Sequence, residues 1–549
     1  MMKFYYILIV LILGFYKLFP QDITTTEIKV VENFMPTILE AARLNENAIF
    51  LDTVKAKKTQ SFNIFKVQID SDYNTRPLSP AKVKSQKIPQ LFNKRLSLGT
   101  GYKVTSKFNA VYNTIYSKDI SNGIIINHLS NDAYVEDKYA GKQLDNIHMY
   151  IKKIQNNFTI KSTIDYNRLA FFTYGQGTSD KKKYDNSITK NNPYLNRFSY
   201  SKLFFSLHNN HKKNNYAPNK LSFFITDLNE FSENQINLKS SLEKNLDSLL
   251  VSYNIEYNNF LNYKNKDNVF ETKNVHTISF TPSTSINKYA LKIELALPIY
   301  YESEFSKFKV FPQVILNKQL VNNVLYIKGG LRHRNYRNTF KSLSEKNPYI
   351  HSFGTNQSII NDSIISQQLF TTYNDELFFA ISNMLSKNEY LHFECAYFNI
   401  NNYPYFSLIN NGYYNRFKVN YLESLSQFRF TAKYSRDFGS LIKTSLLLKY
   451  YKRDKQVNHK EDLFVYVDSQ INLRDKIYLS PSLNYKTKRI SYNRELSPVL
   501  QFDFNILYIY SKQLSGYLNL INLTNSKIEI WDSYKDVGFN LVLGVKYAF

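Results

Sequence analysis

The stretch that decides the fold is the last one, Phe539-Asn540-Leu541-Val542-Leu543-Gly544-Val545-Lys546-Tyr547-Ala548-Phe549. Its odd positions are all apolar or aromatic: Phe539, Leu541, Leu543, Val545, Tyr547 and Phe549. Its even positions are small or polar, with the exception of Val542. Successive side chains of a β-strand point to opposite faces, whereas a helix repeats about every 3.6 residues. The alternation therefore predicts an amphipathic strand.

The same period of two recurs from Leu96 to the end of the chain. Between Phe158 and Tyr174 the even positions are largely apolar or aromatic, while the odd positions from Thr159 to Asn167 are polar. A helix cannot sort residues in this way. Further segments with this alternation are Phe108 to Tyr116, Leu291 to Leu297, Phe428 to Tyr434, and Ile477 to Tyr485, where Pro481 is predicted to interrupt the ladder of backbone hydrogen bonds. The sequence thus predicts a long series of amphipathic strands.

The links between these segments alternate in length. Short links are Gln155 to Asn157, Ser386 to Asn388, Arg474 to Asp475 and Ser511 to Gln513. Long polar links include Gly175 to Asn196, Thr339 to Asn374 and Asn525 to Val537. Short turns at one end and long loops at the other are typical of bacterial outer-membrane barrels.

Counting the segments predicts roughly 22 strands, with roughly 16 as a lower bound. An open sheet in lipid would leave the backbone groups of its edge strands without partners, so the sheet has to close. The predicted fold class is all-β: a transmembrane antiparallel β-barrel.

The composition agrees with strands that have one face in lipid and one in water. Of the 549 residues 16% are aromatic, with 45 Tyr and 41 Phe, yet the mean hydropathy is −0.40.

The net charge of +25 raises the question of whether the chain binds nucleic acid. Because Lys is spread along the chain together with Asn, Ile, Tyr and Phe, we attribute the charge to an AT-rich genome in preference to a selected anion-binding field, and we predict no nucleic-acid partner. Cys395 is the only cysteine, so the chain forms no internal disulfide.

The N-terminus predicts an export signal. Lys3 precedes an apolar run from Phe4 to Phe15, which is too short to span a bilayer comfortably. We predict a signal peptide over residues 1–20, with an uncleaved anchor as the alternative. Residues 21–94 alternate poorly and contain several prolines, which predicts an extended periplasmic segment or strap. Residues 95–549 are predicted to form the barrel.

The end of the chain resembles known sequences. An aromatic last residue after such alternation, Phe549, resembles the C-terminal signal that the barrel-assembly machinery of outer membranes recognises. Gly516 to Asn525, with its asparagine-rich end, resembles the penultimate strand of TonB-dependent receptors in the form common among Bacteroidota. Glu27 to Ile38 resembles the opening of a plugless group of relatives of these receptors. The resemblance implies a large barrel in the outer membrane of a Gram-negative bacterium.

The N-terminal segment departs from that family pattern. A full receptor has a folded plug domain ahead of its barrel, and residues 21–94 are too short for one. The resemblance therefore implies a barrel without a full plug domain and argues against classical energised uptake. One short stretch is either a strand that pairs with a periplasmic energiser by β-addition or a polar leader. That stretch is Glu27, Ile28, Lys29, Val30 and Val31.

No catalytic motif stands out in the sequence. It contains no Gly-x-Ser-x-Gly elbow, no phosphate-cradling glycine loop and no Cys/His cluster at metal spacing, so we predict no enzyme, no cofactor and no metal. The best basic cluster follows Gly329 and comprises Arg332, Arg334 and Arg337. Because guanidinium groups bind phosphates and carboxylates, these residues predict a site that faces an anionic solute or lipopolysaccharide. An ordinary charged strand end is the alternative.

A group of aromatic residues beside a predicted loop also has two interpretations. A ligand site is one, and an aromatic girdle at the membrane interface is the other. The residues are Tyr405, Phe406, Tyr413 and Tyr414.

Two functions agree with these features. The first is a receptor-like barrel that binds solutes or mediates their passage across the outer membrane. The second is an accessory structural barrel in an outer-membrane protein assembly or another envelope complex, acting through partner contacts. The predicted partners are outer-membrane lipid and lipopolysaccharide, the barrel-assembly machinery, and a periplasmic energiser or an outer-membrane complex.

Overall fold

The computed structural model describes residues 91–549, except 115–116, 176–194, 211–219, 230–232, 247–248, 263–273, 351–368, 410–415 and 493. The chain divides into residues 1–86 and residues 87–549, and every described residue belongs to the second unit. The predicted signal peptide, almost all of the predicted periplasmic segment, and the stretch from Glu27 to Val31 lie outside the described residues. Those three assignments stay predictions.

Twenty-two strands form one closed antiparallel sheet. In chain order they are β1 (Lys94–Gly101), β2 (Thr105–Asn113), β3 (Ile120–Asn131), β4 (Lys142–Ile154), β5 (Phe158–Phe172), β6 (Leu195–Asn209), β7 (Lys220–Leu228), β8 (Glu233–Leu246), β9 (Leu249–Asn262), β10 (Val275–Lys288), β11 (Leu291–Ala296 with Ile299–Glu302), β12 (Lys307–Val310 with Gln313–Val321), β13 (Leu325–Arg337), β14 (Thr371–Ser386), β15 (Glu389–Leu408), β16 (Phe417–Phe438), β17 (Ile442–Arg453), β18 (Leu463–Leu473), β19 (Ile477–Lys486), β20 (Val499–Ile509), β21 (Leu514–Ile521) and β22 (Asn540–Ala548).

The first and last strands close the sheet. β22 pairs with β1 in antiparallel register, from Arg95 opposite Ala548 to Gly101 opposite Val542. The backbone groups of Phe549 and Lys94 exchange two hydrogen bonds of 3.0 Å. A closed sheet has no edge strand, so its backbone groups are satisfied within the wall, as lipid requires. The predicted all-β transmembrane barrel is confirmed, and its strand count is the predicted 22.

The strands place apolar side chains on the outside and polar or buried ones on the inside. Leu98, Val545 and Leu377 point outward and are 53%, 51% and 59% exposed. Their chain neighbours Ser97 and Glu376 point inward and are buried. This arrangement gives lipid an apolar surface and gives the lumen a polar one.

Prolines interrupt the pairing of three strands. Pro298 divides β11 and Pro312 divides β12, because proline has no amide hydrogen to donate. The register between these two strands is the same on both sides of the break. Pro481 interrupts pairing with β18, whereas pairing with β20 continues through it. The interruption predicted at Pro481 is therefore confirmed on one side of the strand only.

The connections follow the predicted alternation. At one end of the barrel the turns are short, for example Gln155 to Asn157 between β4 and β5, and Lys387 to Asn388 between β14 and β15. At the other end the connections are longer, above all 338–370 and 522–539. Both Lys94 and Phe549 lie at the end with the short turns.

Two strands project beyond the rest of the wall. β15 and β16 have 20 and 22 residues, whereas β1 and β21 have 8 each. β15 and β16 pair with each other as far as Leu408 opposite Phe417. β14 pairs with β15 only up to Asn401, and β17 pairs with β16 only from Gln427. The projecting part, which we call the β15–β16 ribbon, stands at the long-connection end.

The described residues contain one short helix, α1 (Phe340–Lys346), between β13 and β14. The Thr339 hydroxyl accepts a hydrogen bond of 3.1 Å from the amide of Ser342 and caps the N-terminus of α1. Among the described residues, no helix has the length and apolar character needed to cross a membrane.

Candidate functional site

Side chains at the long-connection end pack into one apolar cluster, which we call the cap core. It combines residues of strands β5, β6, β7, β15 and β16 with residues of α1 and of the long connections. Its buried members are Ala140, Phe171, Tyr174, Phe198, Leu228, Phe340, Leu343, Ile350, Leu369, Phe406, Phe417, Val419 and Tyr534.

The cap core crosses the lumen from wall to wall. Phe171 lies on β5 and Phe417 on β16, which is eleven strands further round a ring of 22. Eleven strands are half of the circumference, so these two side chains start from opposite walls. Because they belong to the same packed cluster, the space between the walls is bridged at this end of the barrel.

Three tyrosines form the centre of the cap core. The rings of Tyr349 and Tyr534 stack with centroids 3.6 Å apart. Tyr174 meets Tyr534 edge to face at 5.2 Å, and its hydroxyl donates a hydrogen bond of 2.6 Å to the carbonyl of Lys535. The three residues come from three different long connections, so aromatic packing joins those connections directly.

Trp531, the only tryptophan of the chain, extends the cap core toward the connection between β17 and β18. Its ring centroid lies 5.3 Å from Phe406, 5.5 Å from Phe417 and 4.8 Å from His459. His459 is buried, and its Nδ1 atom has no hydrogen-bond partner among the described residues. Burial lowers the pKa of His459 to about 4, so the ring is neutral at pH 7.

Arginine contacts join two small hairpins, one in the β19–β20 connection and one in the β21–β22 connection. The first pairs Arg489–Ser491 with Arg494–Leu496, and the second pairs Glu529–Trp531 with Tyr534–Lys535. Arg489 donates to the carbonyl of Ile530 over 2.9 Å. Arg494 pairs with Glu529 at 2.8 Å and with Asp532 at 3.0 Å. Guanidinium groups that reach two acceptors fix geometry as well as charge, so the β19–β20 connection orients the β21–β22 connection.

A buried carboxylate fixes α1 to the wall. Glu233, the first residue of β8, accepts hydrogen bonds from the amides of Phe340 and Lys341 over 2.7 and 3.1 Å. These amides lie in the first turn of α1, where amide groups lack partners within the helix. The contact holds Phe340 and Leu343 of α1 inside the cap core.

Below the cap core, inward side chains form polar rows across neighbouring strands. Four asparagines on β2, β3, β4 and β5 hydrogen-bond in series. They are Asn109, Asn127, Asn146 and Asn167. Neutral amides in register satisfy one another along the wall without adding charge to the lumen.

The predicted basic cluster on β13 consists of separately paired arginines. Arg332 binds Glu376 through Nε and Nη2, over 2.5 and 2.6 Å, inside the lumen. Arg337 pairs with Glu302 at 2.8 Å and with Glu304 at 2.6 Å, near the rim. Arg334 is exposed. Carboxylates neutralise two of the three arginines, so the structure does not bring the three together as one cationic site. Their anion-binding role stays a prediction.

The predicted C-terminal signal lies on β22 and just beyond its ends. Leu543, Val545, Tyr547 and Phe549 are exposed on the outer face, and Tyr547 stacks with Phe549 at 5.6 Å. Leu541 is half-buried, and Phe539 precedes the strand. The alternation of faces agrees with the sequence. Recognition by the assembly machinery stays a prediction.

Sequence reasoning did not identify the cap core. Phe406 was one of four aromatic residues with two open interpretations, and the structure places it in the cap core against Trp531. Tyr413 and Tyr414 lie outside the described residues. The available signal was weak, since an aromatic residue near a loop is also what an interfacial girdle requires.

The fold and the polar lumen define a 22-stranded transmembrane β-barrel. No protein-family model and no curated protein sequence matches the chain. Solved structures do match. A variant of the ferric enterobactin receptor from Pseudomonas aeruginosa aligns over 83% of this chain and 80% of its own, with a TM-score of 0.58 and 10% identity.

Two further solved structures are similar to the same extent. An iron transporter from Neisseria meningitidis aligns over 84% of this chain and 82% of its own, with a TM-score of 0.61 and 9% identity. A siderophore receptor from Acinetobacter baumannii aligns over 84% and 81%, with a TM-score of 0.57 and 12% identity. The likeness concerns the fold, and these neighbours are receptors and transporters.

Proposed function

We propose that this chain is an outer-membrane barrel that binds a solute and mediates its passage across the outer membrane of a Gram-negative bacterium. It resembles TonB-dependent receptors of the form found in Bacteroidota. Residues 1–20 act as the signal peptide, and residues 21–94 take the place of a full plug domain on the periplasmic side. The barrel contacts outer-membrane lipid and lipopolysaccharide and reaches the membrane through the barrel-assembly machinery.

The observation that supports passage is the cap core. A barrel with a purely structural role needs only its outer wall and its partner surface. Here buried aromatic residues from opposite walls, such as Phe171 and Phe417, meet across the lumen at one end. Aromatic burial on this scale is a large favourable term, and it is located where a solute would have to pass. We interpret the cap core as the closed state of an external gate.

Conductance of the full-length chain in planar bilayers tests the proposal. The Tyr349→Ala/Tyr534→Ala variant removes the stacked centre of the cap core and leaves the wall intact. We expect the wild-type barrel to conduct rarely and the variant to show frequent, large open steps, because the two deleted rings leave a gap between the walls. The matched control, Tyr289→Ala/Tyr510→Ala, removes two exposed tyrosines at the short-turn end. It should behave as wild type.

A variant that folds, as judged by a strand-type circular dichroism spectrum in detergent, but never conducts would overturn solute passage. The accessory role in an outer-membrane assembly complex would then be the better explanation. Stoichiometric co-purification of the chain with assembly components from native membranes would support that role.

A further inference from the structure

The seam where the barrel closes carries three cations on its inner face. Arg95 lies on β1, Lys107 on β2 and Lys546 on β22, so they occupy three consecutive strands around the seam. Lys546 stands opposite Ser97, and Lys107 stands opposite Gly99, which places both on the face of β1 that points into the lumen. Arg95 shares that face, two residues before Ser97.

The three cations have no acidic partner among the described residues. Arg95 donates one long hydrogen bond of 3.4 Å to Asn109, and Lys546 lies opposite Ser97, two residues along the same face of β1 from Arg95. Some other cations of the lumen are paired, for example Lys239 with Glu256 and Lys292 with Glu294. Like charges held together without a counter-charge cost free energy, and binding of an anionic ligand would recover it.

The seam is also shaped to hold these cations in place. The ring of Tyr517 on β21 is buried against the seam, with its hydroxyl 3.5 Å from the carbonyl of Leu98. A Cβ atom at Gly99 or Gly544 would overlap that ring, so two glycines make room for it. Lys107 Nζ lies 5.5 Å and Lys546 Nζ 5.1 Å from the centre of the ring. The ring thus positions both ammonium groups by cation–π contact.

We propose that Arg95, Lys107 and Lys546 form a lumenal binding site for a small solute with two or more oxyanion charges, of the phosphate or polycarboxylate class. A guanidinium and two ammonium groups suit an ion with several charged oxygens better than a single carboxylate. Lipid phosphates do not reach this face, because the wall separates it from the bilayer. The inference rests on the proposed solute-binding function and names the class of solute.

Binding of inorganic pyrophosphate and of citrate to the full-length chain in detergent, measured by isothermal titration calorimetry at low salt, tests the site without requiring transport. We expect the Lys107→Gln/Lys546→Gln variant to bind about tenfold more weakly, or not measurably. The matched control Lys239→Gln/Lys292→Gln removes the same charge from the lumen at paired positions, and it should bind like the wild type. Equal loss in both variants, or no binding by the wild type, would overturn the site.

Thermal stability of the same variants separates a binding role from a structural one. Removing two repelling cations should leave the melting temperature of the Lys107→Gln/Lys546→Gln variant unchanged or raise it. A lower melting temperature would show that the cations support the fold and would contradict the proposal. Since neither measurement involves passage, a barrel that binds pyrophosphate but never conducts would overturn passage and keep the site.

Discussion

Single residues at the seam show how closely the last strands are packed. A Cβ atom at Gly544 would overlap the ring of Tyr517, whereas one at Gly516 would meet no atom closer than 3.9 Å. The two glycines lie on paired strands, β21 and β22, and a Cβ atom at Gly544 would also lie 2.4 Å from the backbone carbonyl oxygen of Leu98. They therefore form a natural pair for testing how tightly the seam is packed around Gly544.

We expect Gly544→Ala to destabilise the barrel by about 1–3 kcal/mol, because the added methyl group overlaps both the buried ring of Tyr517 and the backbone carbonyl of Leu98. Gly516→Ala is the control and should be close to neutral. Thermal unfolding in detergent, followed by circular dichroism, measures both. Equal melting temperatures for the two variants would show that the Tyr517 ring and the Leu98 backbone move aside without cost.

His459 makes the cap core sensitive to acid. Its pKa is about 4 against an ordinary value of 6.5, because burial disfavours the charged ring, while Asp532 favours it and Arg489 and Lys460 oppose it. A pKa that is lower in the folded state favours the neutral form. The contribution of neutral His459 to the free energy of unfolding is therefore complete above pH 6.5 and is lost as the pH falls through 4.

We expect the emission of Trp531 to shift to longer wavelength as the pH falls from 6.5 to 4, because a protonated His459 loosens the packing next to it. Trp531 is the only tryptophan, so selective excitation reports on the cap core alone. In a His459→Gln variant the emission should change little over this range. An identical shift in the variant would assign the transition to another group.

The sequence predicts which face of a strand a residue occupies, but it does not predict the residue's neighbours on other strands. The inward position of Lys546 follows from its even place in the final alternation. Its proximity to Arg95 and Lys107 does not, because closure of the sheet brings together residues more than four hundred positions apart, and no local pattern records that pairing. The partners of Arg332 and Arg337 lie 33 to 44 positions away, and local alternation does not fix the strand register that brings them together.

At the scale of elements, strands were predictable because alternation is a local property of the chain. The predicted strand from Phe158 ends at Phe172, and the predicted turn from Gln155 to Asn157 is present. The long connections were predictable only as long and polar. Their packing depends on contacts such as that between Tyr174 and Tyr534, which join different connections and have no period.

The final strand carries a prediction of its own. Phe549 exchanges two backbone hydrogen bonds with Lys94 and exposes its ring on the outer face. We expect deletion of Phe549 to lower the amount of barrel in the outer membrane, because both closure and the terminal aromatic ring are lost. Phe549→Tyr keeps both and should insert normally. Unchanged outer-membrane levels of the deletion variant, measured by membrane fractionation and immunoblotting, would contradict the interpretation of the C-terminus.

At the scale of the whole molecule, closure of 22 strands produces an apolar outer wall that needs lipid or detergent around it. Exposed outward side chains such as Leu377, Leu543 and Phe379 cover the outer wall. We expect the mature chain to fractionate with outer membranes, to require detergent for extraction, and to give a strand-type circular dichroism spectrum. A chain that stays monodisperse in water without detergent would contradict the membrane-spanning fold.

The β15–β16 ribbon, which projects beyond the wall, also takes part in closing the lumen. Two strands without neighbours are marginally stable in water, so the ribbon keeps its place through the surfaces it touches. It supplies Phe406, Phe417 and Val419 to the cap core. Part of the order in the ribbon therefore depends on the packing that closes the lumen. Because Phe417 of the ribbon contacts Tyr534, with ring centroids 6.2 Å apart, we expect a change that separates these two rings to weaken the order of the ribbon as well.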